Sequence, residues 1–428
     1  MVLNASVRPV RRAVIVAVGS ELLTPHKVDT NSLFLTERLN TEGVVVQYKA
    51  VVGDDPAQLA DLVREAIPRA DLIVLTGGLG ATDDDVTRDT VAALFKLDLE
   101  EDASVVAHIR KRFETRGMEM PEINRRQALV PRGAVVLRNP RGTAPGLLLD
   151  RDDVTCVLLP GPPRELRPMF EEVCAVHLGA RWTGTRIYRQ VLTIAGRTET
   201  YVEELTQPLY SQWLAREPVV TTTVLSTLGQ IELHLATQGV EPSVAESVLA
   251  QATGELSLVL GRSLVSVDGA SLEETVGRLL RRAGQRVAVA ESCTGGLIAS
   301  RLTDVPGSSS YLEAAWVTYG NDAKVSNLGV DPALLASHGA VSEEVAESMA
   351  VHAKRLAVAD YGIGVTGIAG PGGGTEEKPV GTVCVALAGP EGAVRVRTFR
   401  FPGERDRVKF QASQVALDML RRALLPRA

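Results

Sequence analysis

Aromatic residues make up only 4% of the chain, and it holds 6 histidines and 4 cysteines. So few rings supply no stacking surface for single-stranded nucleic acid. Cys156, Cys174, Cys293 and Cys384 are scattered, without paired spacing or a histidine partner. That pattern disfavours zinc modules and disulfide frameworks and fits a reducing cytoplasm. No run of about eighteen apolar residues occurs, and MVLNASVRPVRR has no long apolar segment before Ala13, so a soluble, unexported protein with no membrane partner is expected. No block of Lys and Arg exceeds a helix end and the net charge is -6, which argues against a nucleic-acid partner. Internal repeats and low-complexity segments are absent too.

What is present is ordinary globular material: 428 residues, 45% hydrophobic and 23% charged, enough for two or three domains. Val-rich Ala13 to Val18 reads as a buried strand, followed by a helix over Asn31 to Leu39, a strand over Val44 to Val52, a helix over 57–69 and a strand over Asp71 to Leu75. Strand and helix alternating in this way imply right-handed crossovers and a parallel sheet covered on both faces. TGGLGATDDDVTRDT then places Gly77, Gly78 and Gly80 at the carboxyl end of a strand, where open α/β sheets bind ligands. Asp83, Asp84 and Asp85 stand just ahead of a helix near Val86, either as caps or as oxygen ligands for a cation. Arg164 and Arg167 follow a proline-glycine turn and either reach a phosphate or lie on a solvated helix face.

From about Arg181 the texture changes. Strand-like runs Val219 to Thr227 and Gln230 to Thr237, joined by Leu228-Gly229, and a helix over Pro242 to Thr253 suggest a small α+β module, read as a spacer or dimerisation element. No GxxG loop rich in Lys or Arg marks it as an RNA binder. The predicted divisions are 1–180, 181–262, a connector at 263–270, and a last α/β domain at 271–428. Within that last domain, apolar Val287 to Ala290 reads as a buried strand, and Ser292 to Gly296 opens a helical pattern. Exposed amides and two glycines at such a strand-to-helix turn favour an anion, making it a candidate phosphate seat. Ser308 to Ser310, Tyr319 and Lys324 follow closely. A serine needs a base, and a buried lysine can be one; equally, serine after Pro306-Gly307 is ordinary turn chemistry and Tyr and Lys are common surface residues.

The motifs ESCTGG, PGSS, VTYGNDAK and VTGIAGPGGG lie in order over about eighty residues. Together they resemble the C-terminal domain of the competence/damage-inducible protein A (CinA) family, the nicotinamide mononucleotide deamidases. GSELLTP, VDTNS, GGLGATDDDVTRD, NPRGTAPG and LPGPPREL resemble that family's N-terminal domain, whose fold is similar to that of molybdopterin-biosynthesis proteins. Where the family usually has GPT, this chain reads Gly80-Ala81-Thr82.

The resemblance implies a bifunctional pyridine nucleotide salvage enzyme. Its last domain would convert nicotinamide mononucleotide to nicotinate mononucleotide and ammonia without a cofactor. Its first would split ADP-ribose into AMP and ribose 5-phosphate with a divalent cation, Mg2+, on Asp84 and Asp85. In the deamidase, Ser309 is expected as nucleophile or water-orienting hydroxyl, Lys324 as base and Tyr319 as proton relay, with Ser292 the rival nucleophile. Ser292, Thr294, Gly295 and Gly296 would hold the phosphate or an oxyanion. Thr366, Gly367, the Gly370 to Gly374 loop and Arg405 would close the pocket. In the first domain Gly77, Gly78, Gly80, Thr82, Asn139, Gly142 and Thr143 are the expected substrate contacts. A homodimer is the default assembly. Two other classes stay open: a molybdopterin-type nucleotide or cofactor transferase, and a non-enzymatic accessory of DNA uptake or recombination.

Overall fold

The computed structural model describes residues 8–151, 154–183 and 186–426. It divides into two compact units, residues 1–188 with 238–242, and residues 189–237 with 243–428. Among the described residues no helix is long and apolar enough to cross a membrane.

The first unit is a three-layer α/β domain. Its elements run β1 (Arg12–Val18), α1 (Thr30–Thr41), β2 (Val45–Val52), α2 (Pro56–Ala66), β3 (Leu72–Thr76), α3 (Thr87–Leu94), β4 (Leu99–Glu101), α4 (Ala103–Glu114), β5 (Leu129–Pro131), β6 (Val135–Leu137), β7 (Gly146–Asp150), β8 (Thr155–Leu159) and α5 (Pro163–Glu172). The sheet order is β2-β1-β3-β8-β7-β6. β1 and β3 are central and apolar on both faces, so Val14, Val16 and Ile73 pack towards one helical layer and Ala13, Ile15 and Val74 towards the other. The parallel sheet expected from the alternation is realised only in β2, β1, β3 and β8. β7 and β6 run antiparallel, because the short links joining β6, β7 and β8 cannot make a crossover.

The second unit begins with a four-stranded sheet, order β10-β11-β9-β12. It contains β9 (Ile187–Ala195), α6 (Glu199–Trp213), β10 (Thr221–Thr227), β11 (Gln230–Gln238), α7 (Pro242–Leu260) and β12 (Leu264–Ser266). Residues 263–270, read above as a connector, thus supply a strand, paired antiparallel to β9. Its carbonyl at Leu264 accepts from the Arg421 guanidinium, and the Gln414 side-chain amide donates to Gly229 O. The small module therefore packs on the last helix of the chain.

The remaining elements are α8 (Leu272–Ala283), β13 (Val287–Glu291), α9 (Leu297–Thr303), β14 (Leu312–Val317), α10 (Asn321–Leu328), α11 (Pro332–His338), α12 (Glu343–Ala357), β15 (Tyr361–Gly367), β16 (Thr382–Ala388), β17 (Val394–Arg400) and α13 (Arg405–Leu424). Their sheet order is β14-β13-β15-β16-β17, parallel across the first three strands and antiparallel thereafter. Ser271 caps α8 in a reciprocal box with Glu274, and Ser342 caps α12 as the sequence suggests. α12 lies unusually close to β15 because Gly362 and Gly364 present no side chain: a Cβ would sit 2.1 Å from Ala350 O or 2.2 Å from Ala346 O respectively. Replacing Gly364 by Val is expected to push α12 off the sheet and cost about 1–3 kcal/mol. An unchanged urea midpoint in that variant would show that the close approach is not needed.

Candidate active sites

In the second unit the site grows from the carboxyl ends of three neighbouring strands. Glu291 ends β13 opposite Val317 of β14 and Val365 of β15. One residue further on, the chain places Thr318, Ser292 and Thr366 side by side, with the Thr318 N–H on Glu291 O and the Ser292 N–H on Val365 O. All three are buried, at 0%, 7% and 1% exposure. α10 brings Lys324 up beneath this row. Its Nζ lies 3.1 Å from Ser292 Oγ, 2.8 Å from Thr318 O and 3.3 Å from Tyr319 O.

Those contacts determine how the amine can be used. The two carbonyls only accept, so they take two N–H bonds; in the neutral amine the third direction is the lone pair, facing the Ser292 hydroxyl. Burial holds Lys324 below the ordinary lysine value near 10.5, because a desolvated ammonium is costly. Serine and lysine at this distance can act as nucleophile and base. Neighbouring Cys293 is excluded from that role: burial pushes its thiol up to about 12, leaving it protonated. The Thr294 and Thr318 hydroxyls are also buried, without a hydrogen-bond partner among the described residues. Two polar groups with unmet capacity therefore flank the pair.

The phosphate seat expected at the start of α9 is already filled. The buried carboxylate of Glu291 accepts the N–H groups of Gly296, Ile298 and Ala299 at 3.0, 3.1 and 2.9 Å. A helix start satisfied by the protein's own carboxylate repels a second anion. An open cavity of about 850 Å³ lies instead around α13, where the cations Arg405 and Lys409 stand with the acids Glu404 and Asp406, Gly370 and apolar Leu297, Ala369 and Val380. Gly295 faces this region, since a side chain there would begin 3.6 Å from the Lys409 ammonium. Arg405 binds Gly370 O at 2.8 Å and the Tyr319 hydroxyl at 2.6 Å.

The expected residues therefore separate. Ser292, Lys324, Thr294 and Thr366 lie at one end of the sheet, although Thr366 Oγ1 is spent on Ala340 O. Gly367 packs tightly against β16. The Tyr319 hydroxyl, 58% exposed, is bonded to Arg405, and only its carbonyl meets Lys324. Ser309 is not brought to the lysine. It precedes β14, whose first residue Leu312 pairs with Val287, and so lies at the amino end of the sheet, roughly 15 Å away at 3.3 Å per residue. Its short turn is ordinary chemistry after Gly307. Sequence reasoning missed Glu291 and Thr318; acidic residues seldom close a buried strand, which was the available signal for the first.

In the first unit a cavity of about 710 Å³ opens at the carboxyl ends of β1, β3 and β8. Gly77, Gly78, Gly80, Gly142 and Thr143 line it as expected. Gly77 has φ 94 and lies so close to β1 that a Cβ would sit 2.2 Å from Val18 O. Asp54, Asp84 and Asp85 line the cavity, as do Arg112, Arg116 and Arg141. Thr82 donates both its N–H and its hydroxyl to Asp85 Oδ2, leaving Oδ1. Asp83, the third acid of the run, turns outward to Arg126. Carboxylate oxygens suit Mg2+. Among the described residues no three such groups converge, so water and phosphate oxygens would complete the shell, as Mg2+ prefers.

These two halves match two families. The model described as CinA C-terminal domain matches residues 269–424, and that described as Probable molybdopterin binding domain matches residues 14–179. The chain is 43% identical over 413 residues to a CinA-like protein of Solibacter usitatus, covering 96% of this chain and 98% of that protein. It is 44% identical over 425 residues to a putative competence-damage inducible protein of Symbiobacterium thermophilum, covering 96% and 99%. Among solved structures, competence/damage inducible protein CihA from Agrobacterium tumefaciens is 42% identical with TM-score 0.35, covering 37% of this chain and 98% of that one.

Lys324 also leaves a mark on stability. Its pKa in the folded protein lies below that of the unfolded chain, so between the two values the unfolded state binds the extra proton. Stability must therefore rise with pH across that window. Lys324→Met is expected to remove this slope, so that it gains on the parent as pH falls from the ordinary lysine range towards neutrality. Parallel urea titration curves for the two proteins at every pH would contradict the buried-amine reading.

Proposed function

The chain belongs to the CinA family, and from that premise we propose that it hydrolyses two nucleotides, nicotinamide mononucleotide in the last domain and ADP-ribose in the first. The observation that carries the deamidase reading is the 3.1 Å contact between buried Lys324 and Ser292. In the proposed reaction Ser292 Oγ attacks the carboxamide carbon while its proton passes to Lys324 Nζ. Collapse of the tetrahedral intermediate expels ammonia, which takes that proton. Water then attacks the acyl-serine, again through Lys324, releasing carboxylate and restoring the hydroxyl. The buried hydroxyls of Thr294 and Thr318 supply donors beside the developing oxyanion. The cavity at Arg405 and Lys409 takes the nucleotide phosphate.

In the first domain the guanidinium groups of Arg116 and Arg141 are suited to a pyrophosphate, while Arg112 holds the Pro140 and Arg141 carbonyls. Asp84 and Asp85 would hold the divalent cation, which would supply charge neutralisation at the phosphate oxygens. The description of its family model as a probable molybdopterin binding domain favours one second reading of this domain, a pterin ligand in the same cavity. Binding of molybdopterin with no cleavage of ADP-ribose is the outcome that would select it.

Ammonia release from nicotinamide mononucleotide tests the last domain. Lys324→Arg, which keeps the charge but cannot give up its proton, and Ser292→Ala should each lose roughly a hundred- to ten-thousand-fold in kcat. Ser309→Ala should keep full activity. In the parent the rate should rise with pH as Lys324 deprotonates, with its midpoint below the ordinary lysine range. Loss of activity in Ser309→Ala with retention in Ser292→Ala would reverse the assignment. For the first domain, Asp84→Asn with Asp85→Asn should abolish cation-dependent AMP release from ADP-ribose and leave ammonia release intact. Joint loss of both activities would contradict two independent sites.

A further inference from the structure

Glu165 is a carboxylate in an unexpected place. It is the third residue of α5, only 8% exposed, and lies on the wall of the first domain's cavity. A buried acid at a helix start usually caps that helix, yet α5 has no side-chain cap hydrogen bond. Its bond is to Asn139 instead: Asn139 Nδ2 donates to Glu165 Oε2 at 2.8 Å and to Ala144 O at 2.7 Å. Asn139 Oδ1 accepts the N–H groups of Gly142 and Arg141 at 2.8 and 3.1 Å. Every face of that amide is used, so Asn139 cannot flip or swing, and the carboxylate it grips is fixed in direction. Gly142 is required beside it, because a Cβ there would lie 1.9 Å from Glu165 Oε2. Among the described residues the other oxygen, Oε1, meets the Arg164 guanidinium at 3.9 Å, and that side chain is 75% exposed. A carboxylate withdrawn from water costs free energy unless well bonded, and among the described residues this one is hydrogen-bonded through Oε2 alone.

We propose that Glu165 is the general base for water in the first domain, with Asn139 its positioning residue. The inference rests on the reading that this domain hydrolyses a pyrophosphate. The water oxygen forms a bond to phosphorus as its proton moves to Glu165 Oε1. The bridging P–O bond breaks, the leaving phosphate keeps the electron pair, and the proton is later lost to solvent. An anchored acceptor lining the same cavity as the Asp84 and Asp85 carboxylates is the arrangement such a step needs. Of the charged and titratable groups, Arg164 meets the carboxylate itself, while Arg141 bonds Arg164 O, Arg112 bonds Arg141 O and His108 Nε2 meets Gly142 O at 3.2 Å.

The test uses the full chain, ADP-ribose and Mg2+. Glu165→Gln should lower kcat for AMP release by roughly a hundred- to ten-thousand-fold, with calorimetric affinity for ADP-ribose and the Mg2+ midpoint unchanged. The acid limb of the pH profile of kcat should vanish in Glu165→Gln and persist in His108→Gln. Glu165→Asp, still charged but one methylene shorter, should keep the limb at a lower kcat and serves if the glutamine variant does not fold. Near-parental kcat in both variants, an acid limb surviving in Glu165→Gln, or a shifted Mg2+ midpoint would overturn the assignment while leaving the pyrophosphatase reading intact. A parent chain that releases no AMP at all would overturn both.

Discussion

The second unit depends on keeping one lysine amine out of water and against one serine hydroxyl. An isolated ammonium at 1% exposure would be too costly to tolerate, so the fold must either pair it or neutralise it. No carboxylate meets Lys324 among its hydrogen-bond partners; two main-chain carbonyls and Ser292 do. Carbonyl dipoles satisfy donors without restoring a full opposite charge, so the amine is anchored and its proton affinity still falls. In the proposed reaction that combination lets the amine serve as a base below the ordinary lysine range. It also explains the local architecture. β14 must end at Val317 so that the Thr318 and Tyr319 carbonyls can turn towards α10, and α10 must start immediately after Gly320 for Lys324 to reach them.

Electrostatics divides the neighbouring helix starts between structure and binding. α9 begins directly after the ESCTGG turn, but the carboxylate of Glu291 closes it from within the sheet. The closure fixes the loop that carries Ser292 and removes the competing anion site beside the amine. An anion held at α9 would otherwise raise the pKa of Lys324, opposing its use as a base. The cations that could hold a nucleotide phosphate stand further out, at Arg405 and Lys409. Arg405 links Tyr319 to the Gly370 segment, so the guanidinium proposed to meet the phosphate also shapes the pocket wall.

Much of this was legible in the residues. Apolar runs marked β1, β3 and β13. Spacing placed Ser292 at a strand end and Lys324 nearby. The hairpin of β16 and β17 is legible as two apolar runs, 380–388 and 393–401, joined by a short turn, whereas the antiparallel edge of the first sheet was less visible, because a short apolar run carries no sign of its direction. Ser309 was misplaced for a related reason: it is close to Lys324 in sequence, but one whole strand, β14, separates them. Helix starts were read as anion sites from their backbone alone, whereas Glu291, five residues ahead of Gly296, decides whether that backbone is free. Asn139 was recognised as part of a polar turn; its partner Glu165 was hidden inside PPREL, where an acid in a first helical turn has an ordinary explanation.

The reaction proposed for the first domain poses a different problem. A pyrophosphate brings its own negative charge, so a cavity walled by Asp54, Asp84, Asp85 and Glu165 would reject it if these acids stood alone. The arginines lining the cavity offset part of that charge, and guanidinium groups remain cationic throughout the ordinary pH range. A bound divalent cation on the Asp84 and Asp85 side would offset the rest and leave Glu165, held apart by Asn139, as the carboxylate able to accept a proton. Glu165 could not serve both purposes, since a carboxylate that neutralises a metal ion is a poor base. In the last domain a carboxamide is uncharged, and a single desolvated amine suffices in the proposed step. In both proposed reactions the group that accepts the proton is thus not the one that holds charge.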